Sequence, residues 1–177
     1  MGESSSPGSR RLVIIIAAVL AVAVVGYWLA SSESEEAKIR RALEAMRVAV
    51  EEKHARNLVW HIDESYSDAS GWDKQTLRTN LAGYFLRTGN SSLACVIVPG
   101  QIEVAKDART ATASFRAAVY EGITLTELAA NQGAARGQGF AIEVELSKGE
   151  DGEWRVTTHS RKPFPANDIY RLAFGGE

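Results

Sequence analysis

Leu12 to Ala30 reads LVIIIAAVLAVAVVGYWLA, an apolar stretch without a charge. No other feature constrains the chain as strongly. As a helix it rises about 28 Å, close to the ~30 Å hydrocarbon thickness of a bilayer. The expected organisation is a cytoplasmic tail over 1–11, a transmembrane helix over 12–30 and a linker over 31–34, followed by a single domain of ordinary size. Arg10 and Arg11 precede the apolar run, and Glu33, Glu35 and Glu36 follow it. Basic flanks stay cytoplasmic, so the domain is expected outside the membrane. Tyr27 and Trp28 suit the far interface. A cleaved signal peptide is the rival reading, because Ala30-Ser31-Ser32 offers small residues, but the run exceeds the usual ~7–15-residue core. Ser9-Arg10-Arg11 carries a twin-arginine match no further, and Met1-Gly2 with Ser6 fits myristoylation only formally. Gly26 with Ala30, and Ala17 with Ala21, permit helix pairing in lipid.

Beyond the apolar run the composition is that of a folded domain. The chain is 45% hydrophobic and 24% charged. Only Arg10, Arg11 and Glu3 lie before residue 33, which leaves 18 basic and 21 acidic residues behind the anchor. That balance lacks the basic stripe a nucleic-acid partner requires, so none is expected. Cys95 is the one cysteine and cannot form an internal disulfide. It sits in the apolar run Leu93-Ala94-Cys95-Val96-Ile97-Val98, which reads as a buried strand.

The periodicity gives helices first and strands second. Ile39, Leu43, Met46 and Val50 recur at helical spacing from about Glu35. A second helical piece covers Ala55 to Ile62. Asp73 is a good N-cap for a third helix, Lys74 to Thr88, with Leu77, Leu81, Tyr84 and Phe85 inward and Gly89 ending it. Ser92 to Val98 and Gln101 to Ala105 read as two strands broken by Pro99-Gly100. Thr110 to Tyr120 alternates, with Ala111, Ala113, Phe115, Ala117 and Val119 on one face. Phe140 to Lys148 alternates likewise, with Phe140, Ile142, Val144 and Leu146 inward. Gly149 to Gly152 is a hairpin turn before Trp154 to Arg161. Gly122 to Gly139 interrupts this hairpin pattern, and Thr124 with Glu127 forms a capping box there. Binding loops and simple elongations both take this form. This order predicts an α+β fold, helices packed on a curved antiparallel sheet. The domain is expected over 35–162, with a C-terminal tail over 163–177 whose Phe164, Ile169, Tyr170, Leu172 and Phe174 are too apolar for solvent; docking on its own domain is the default reading and binding a partner the alternative.

Three local patterns and the last strand resemble a known family. They are Met46-Arg47-Val48-Ala49-Val50-Glu51-Glu52-Lys53, Ile62-Asp63-Glu64-Ser65-Tyr66-Ser67-Asp68, Leu81-Ala82-Gly83-Tyr84-Phe85-Leu86-Arg87 and Gly152-Glu153-Trp154-Arg155-Val156. With the order of elements, they resemble the nuclear transport factor 2-like (SnoaL-like, cystatin-like) superfamily over roughly Glu35 to Arg161. The resemblance implies a cone between helices and sheet and allows a homodimer paired through the sheet; its patterns look bacterial, which favours an inner membrane with the domain on the periplasmic side, while orientation alone would also suit an endoplasmic membrane. It does not settle activity, since the superfamily holds isomerases, dehydratases, transport factors and non-catalytic assembly domains.

The chemistry is sparse. None of the strand residues assigned to the inner face ionises, so the sheet wall of the cone is expected to be apolar. Trp60, His61, Asp63, Tyr66, Trp72 and Tyr84 could approach the mouth, and a Tyr with an Asp could serve an isomerase-like site. Packing of the aromatics and solvation of Asp63 is the plainer reading. The candidate pocket-lining residues are Trp60, Tyr66, Tyr84, Phe115 and Phe140, and no residue is assigned a catalytic role. His54 and His61 are too far apart on one helix, about 10 Å along its axis, to share a zinc. His159 alternates with Arg155, Thr157 and Arg161 on the presumed outer face, where it would be solvated. No metal or cofactor is expected, and no hydrolase elbow, phosphate loop or metalloprotease motif occurs. The expectation is a single-pass membrane protein whose outer domain is a non-catalytic binding or assembly module, with a second copy or an envelope protein as its partner. A carrier of a small hydrophobic molecule in the cone is the first alternative, and an isomerase or dehydratase the second.

Overall fold

The computed structural model describes residues 33–130 and 137–175. The expected span Leu12–Ala30 lies outside them. Among the described residues no helix is long and apolar enough to cross a membrane.

Helix α1, Glu35–Glu51, buries Ile39, Ala42, Leu43 and Ala49. The i, i+3, i+4 spacing of its apolar residues puts them on one side. Its first residue is also a tie point. The Glu35 carboxylate takes Lys148 and Lys38 at 2.9 Å each and the Trp154 indole N–H at 2.8 Å. These partners, Lys148 first, hold it down at about 2. Lys53, at φ 56°, turns the chain into the short α2, Ala55–Trp60. Helix α3, Lys74–Thr88, starts as the sequence predicts: Asp73 Oδ1 accepts from the Thr76 N–H at 2.7 Å. It stops at Gly89, whose φ of 52° favours glycine.

Four strands follow: β1 (Leu93–Val104), β2 (Thr110–Glu121), β3 (Gly137–Lys148) and β4 (Trp154–Pro163), antiparallel in the order β1-β2-β3-β4. The two strands predicted around Pro99-Gly100 are one strand with a register shift between Pro99 and Ile102. The bulge absorbs the proline, and the Gln101 N–H is taken by Ser114 Oγ at 3.1 Å. At Gly100 a Cβ would stand 2.6 Å from the Ser114 carbonyl oxygen, so the close approach needs glycine. Helix α4, Leu125–Ala130, lies between β2 and β3. The predicted capping box opens it: the Thr124 N–H donates to Glu127 Oε2 at 2.9 Å, and the Glu127 N–H to Thr124 Oγ1 at 3.3 Å. The tail forms α5, Ala166–Phe174.

Both faces of the sheet carry core, at different ends. On one face Ala111, Ala113, Val144, Leu146, Trp154 and Val156 pack with Ile39, Leu43, Ile62 and Tyr66. This is the predicted helix-covered side. On the other face Ala94, Val96, Ala118 and Tyr120 pack with Leu128 of α4 and Ile169 and Tyr170 of α5. Simple alternation along β2 misses the second core, because Ala118 and Tyr120 fall among the residues it assigns to the outer face. The apolar tail covers them, and the Tyr120 hydroxyl donates to the Ala166 carbonyl at 2.8 Å. Beyond α5 no described element covers the same face. The result is an α+β domain with helices packed on a curved four-stranded antiparallel sheet.

Candidate functional site: the sheet face and the helix side

The space between helices and sheet holds a tyrosine–histidine pair that the sequence pattern hides. A register shift between Glu145 and Leu146, with Thr157 as the extra residue of β4, reverses the facing of everything after it. His159 and Arg161 therefore pair with Val144 and Ile142 and share their helix-side face. The expected place of His159, solvated on the outer face, is corrected by this one-residue bulge. Its Nδ1 lies 2.6 Å from Tyr66 Oη, with the rings nearly parallel. Burial lowers the His159 pKa, with Arg161 adding and Asp68 opposing. Burial likewise raises the Tyr66 hydroxyl to about 12. Both groups are therefore neutral near pH 7, and the hydroxyl donates to the bare Nδ1. Tyr66 is 3% exposed and belongs to the main core. The pair thus locks the loop before α3 to β4.

The five residues predicted to line a pocket do not converge on one. Tyr66 is buried as described. Phe115 is half-buried against the main core, and Phe140 stands diagonally beside it under the Arg161 guanidinium, 5.3 Å from the ring centroid. Tyr84 is half-buried, and its hydroxyl donates to Glu121 at 2.7 Å, which ties α3 to the end of β2. Trp60 is 62% exposed and lies outside the cone. It lines a shallow groove of about 490 Å³ with Val48, Ala49 and His61, and Arg155 stacks on its ring at 5.5 Å.

The other ionisable candidates are engaged locally. Asp63 Oδ1 accepts from both the N–H and the hydroxyl of Ser65, and Oδ2 accepts from Ser147. These bonds, Ser65 first, hold its carboxyl below the usual range. His61 is half-buried beside Glu153 and Arg155, and burial lowers its pKa. Cys95 is buried, and its thiol is pushed up to about 12 by burial and then by Glu51. Among the described residues no group of three or more His, Cys, Asp or Glu side chains could hold a metal ion, and no polar or charged residue is fully buried.

A groove of about 760 Å³ crosses the open part of the sheet. Gln101 and Glu103 of β1, Thr112 and Ser114 of β2, Glu143 and Glu145 of β3, and Thr158 and Ser160 of β4 line it, with Asp68 at its margin. A second hollow of about 260 Å³ adjoins it, between Ser114, Arg116, Glu143, Ser160 and Lys162. Glu143, Glu145, Arg116 and Lys162 are exposed. Among the described residues no ion pair engages any of these four. Arg116 only stacks on Phe164, 5.1 Å from the ring centroid. Alternation along the strands puts Arg116, Glu143, Glu145, Arg155 and Arg161 on a mixed polar outer face, and the β4 bulge corrects this for Arg161, which pairs with Ile142 on the helix side. What alternation does not show is that Thr158, Ser160 and Lys162 complete that face, since they join it through the β4 bulge.

No protein-family model matches the chain, and no curated protein matches its sequence. Solved structures do resemble it. An NTF2-like protein with a cystatin-like fold from Novosphingobium aromaticivorans aligns with a TM-score of 0.59 at 14% identity, covering 89% of this chain and 94% of that one. A ketosteroid isomerase-like protein from Erwinia carotovora atroseptica aligns at 0.55 and 12% identity, covering 75% and 98%. A Xanthomonas campestris protein assigned as a calcium/calmodulin dependent protein kinase II association domain aligns at 0.56 and 9% identity, covering 77% and 92%. At these identities the likeness carries the fold alone, and the fold of this domain is nuclear transport factor 2-like.

Proposed function

We propose that this chain is a single-pass membrane protein, anchored through Leu12–Ala30, whose domain lies on the periplasmic side of a bacterial inner membrane and serves as a non-catalytic binding or assembly module. The open sheet face is the docking surface. One observation carries this reading: among the described residues, Glu143 and Glu145 on the 760 Å³ groove and Lys162 and Arg116 on the adjoining hollow stand exposed and without ion pairs, on a part of the sheet that no described helix covers. Exposed charges of both signs on a rigid ladder favour specific protein contact over small-molecule chemistry. Against an enzyme stands the state of the ionisable groups near the cone. Tyr66 and His159 satisfy each other, and Asp63 is held by Ser65 and Ser147. The Xanthomonas campestris neighbour is assigned as an association domain, which fits an assembly role for this fold.

The carrier reading keeps one observation of its own. Leu77, Leu81, Phe115, Phe140 and Ile142 are only half-buried on the helix side, so an apolar ligand could cover them. Affinity purification of the full-length protein from its own membranes separates the two. Under the assembly reading, a reproducible protein partner accompanies the wild type and Leu86→Arg, on the exposed back of α3, but is lost from the open-face variant Glu145→Lys/Thr158→Arg. A partner retained by the open-face variant, or a lipophilic molecule with no partner at all, would overturn it.

A further inference from the structure

We infer that the docking element of the partner is an amphipathic helix of about three turns, with an acidic flank and a basic flank, laid beside α5 across the strands. The inference rests on the reading above, that this face is a protein-docking surface, and it names the chemistry of the partner. Its first support is the order of side chains along the strands. Ala118 and Gly139 lie under α5, where a Cβ on Gly139 would stand 2.9 Å from the Ile169 side chain. The next row on the same face is Arg116, Ala141 and Lys162, level on β2, β3 and β4. The row after is Ser114, Glu143 and Ser160, and then come Thr112, Glu145 and Thr158, with Glu103 of β1 opposite Thr112. Basic side chains therefore stand nearest α5 and acidic ones farther off, and the small residues Ala141, Ser114 and Ser160 make a low floor where the two meet. The hollow of about 260 Å³ lies over that boundary.

The spacing suits a helix. Rows on one face are about 6.8 Å apart, and packed helices stand about 8–10 Å axis to axis. A helix seated against α5 therefore runs between the basic row and the Glu143 row, over the hollow. The four strands span about 14 Å, which about three helical turns cross. An extended segment fits worse. The ladder bonds of the sheet lie in its plane, so a strand laid on the face would leave its backbone N–H and C=O groups against side chains. A helix satisfies those groups internally. The flanks of α5 agree. Tyr170 is 9% exposed, with its hydroxyl 3.4 Å from the Ala129 carbonyl of α4. Leu172 stands about 200° round the helix from it and is 55% exposed, an apolar flank left for a neighbour. Charge completes the match: an acidic flank meets Arg116 and Lys162, and a basic flank meets Glu143, Glu145 and Glu103. Asp168 and Arg171 of α5 pair with each other at 3.6 Å and offset one another.

The probe is a stapled helix of about 14 residues, with alanine and leucine on one face, glutamate along one flank and lysine along the other. Its control has the same composition, with glutamate and lysine alternating within each flank. Both carry no net charge, so bulk attraction does not separate them. Fluorescence anisotropy against the full-length protein in detergent is expected to show the patterned helix binding about tenfold tighter than the control. Arg116→Glu/Lys162→Glu, or Glu143→Lys/Glu145→Lys, removes that preference, and Leu172→Asp weakens it. All four charge changes together restore it, because the helix then lies in the reverse direction. Circular dichroism melts of each variant exclude misfolding as the cause of a loss. Equal binding of the two probes overturns the inference. So does a preference that the charge variants leave intact, or one that the four-site swap fails to restore. Photo-crosslinking from position 112 in native membranes separates this failure from that of the docking face. A partner adduct there, with no preference for the patterned helix, sinks the helix and leaves the face standing. An adduct of twice the mass of the chain, a second copy, does the same. With neither adduct nor preference, both readings fall.

Discussion

The two faces of this sheet are built from the same four strands and do opposite things. The helix-side face spends its side chains on core: Ala111, Ala113, Val144, Leu146, Trp154 and Val156 under α1 and the loop before α3. The other face is core at one end, under α4 and α5; at the other, hydroxyls and exposed charges that pair with none of the described residues line a groove. Buried apolar area is what a fold needs for stability. An exposed polar face contributes little to stability, so its composition is free to serve contact with something else. On the helix side the ionisable groups are engaged with each other: Tyr66 with His159, and Asp63 with Ser65 and Ser147.

Substitutions can break that contrast, and the largest effect belongs to the helix side. Trp154 is 1% exposed, and its indole N–H is held by Glu35. Trp154→Ala is expected to cost about 3–5 kcal/mol in urea unfolding, and a cost below about 1 kcal/mol would show that this core is misassigned. Ile169→Ala comes next. Ile169 is fully buried on the second core, so the loss is about 2 kcal/mol or more. A near-neutral result would mean that the tail is only loosely laid on the sheet.

Tyr66→Phe is smaller, about 1–2 kcal/mol, because it leaves His159 Nδ1 without its donor. The same pair contributes to acid sensitivity. Burial depresses the pKa of both His159 and His61 in the folded chain, so the unfolded chain takes up protons first as pH falls below about 6.5. Stability is full above that value and declines in the window beneath it. Melting temperatures at pH 7.5 and 5.5 should show the decline, and His159→Gln should reduce it. An unchanged decline would remove His159 from the account. Thr124→Ala breaks one capping box on a short helix and is expected to cost about 1 kcal/mol or less. Glu145→Gln, on the open face, should stay within about 0.5 kcal/mol. A larger loss there would mean the open face is structural after all.

How far the sequence reaches follows the same division. The helix spacing of Ile39 and Leu43, the Asp73 cap, the Thr124–Glu127 box and the alternation at Ala111, Ala113, Val144 and Leu146 are local signals, and the structure realises each. Three features needed information that is not local. The bulge at Thr157 turns His159 and Arg161 inward, and nothing in Trp154–Pro163 announces an extra residue. The bulge after Pro99 keeps β1 continuous where proline and glycine signal a break. The second core depends on a tail docking over Ala118 and Tyr120, two residues whose position in β2 suggests solvent. Each is a case of tertiary contact overriding period. The candidate site was half legible. Arg116, Glu143 and Glu145 read as part of an outer polar face, but Arg161, read with them, is turned to the helix side by the β4 bulge, which brings Ser160 and Lys162 to the outer face instead. Of the nominated pocket residues, Trp60 illustrates the other limit, since an aromatic at a helix end is as readily stacked under Arg155 on the surface as packed inside.

The most direct measurement is site-specific photo-crosslinking of the full-length protein in its native membranes. The crosslinking side chain replaces Thr112 on the open face or, as the control, Leu86, which is 82% exposed on α3. The account predicts a discrete protein adduct from position 112 and none from position 86. An adduct from position 86 alone, or none from either position, would contradict the claim that this protein works through the open face of its sheet.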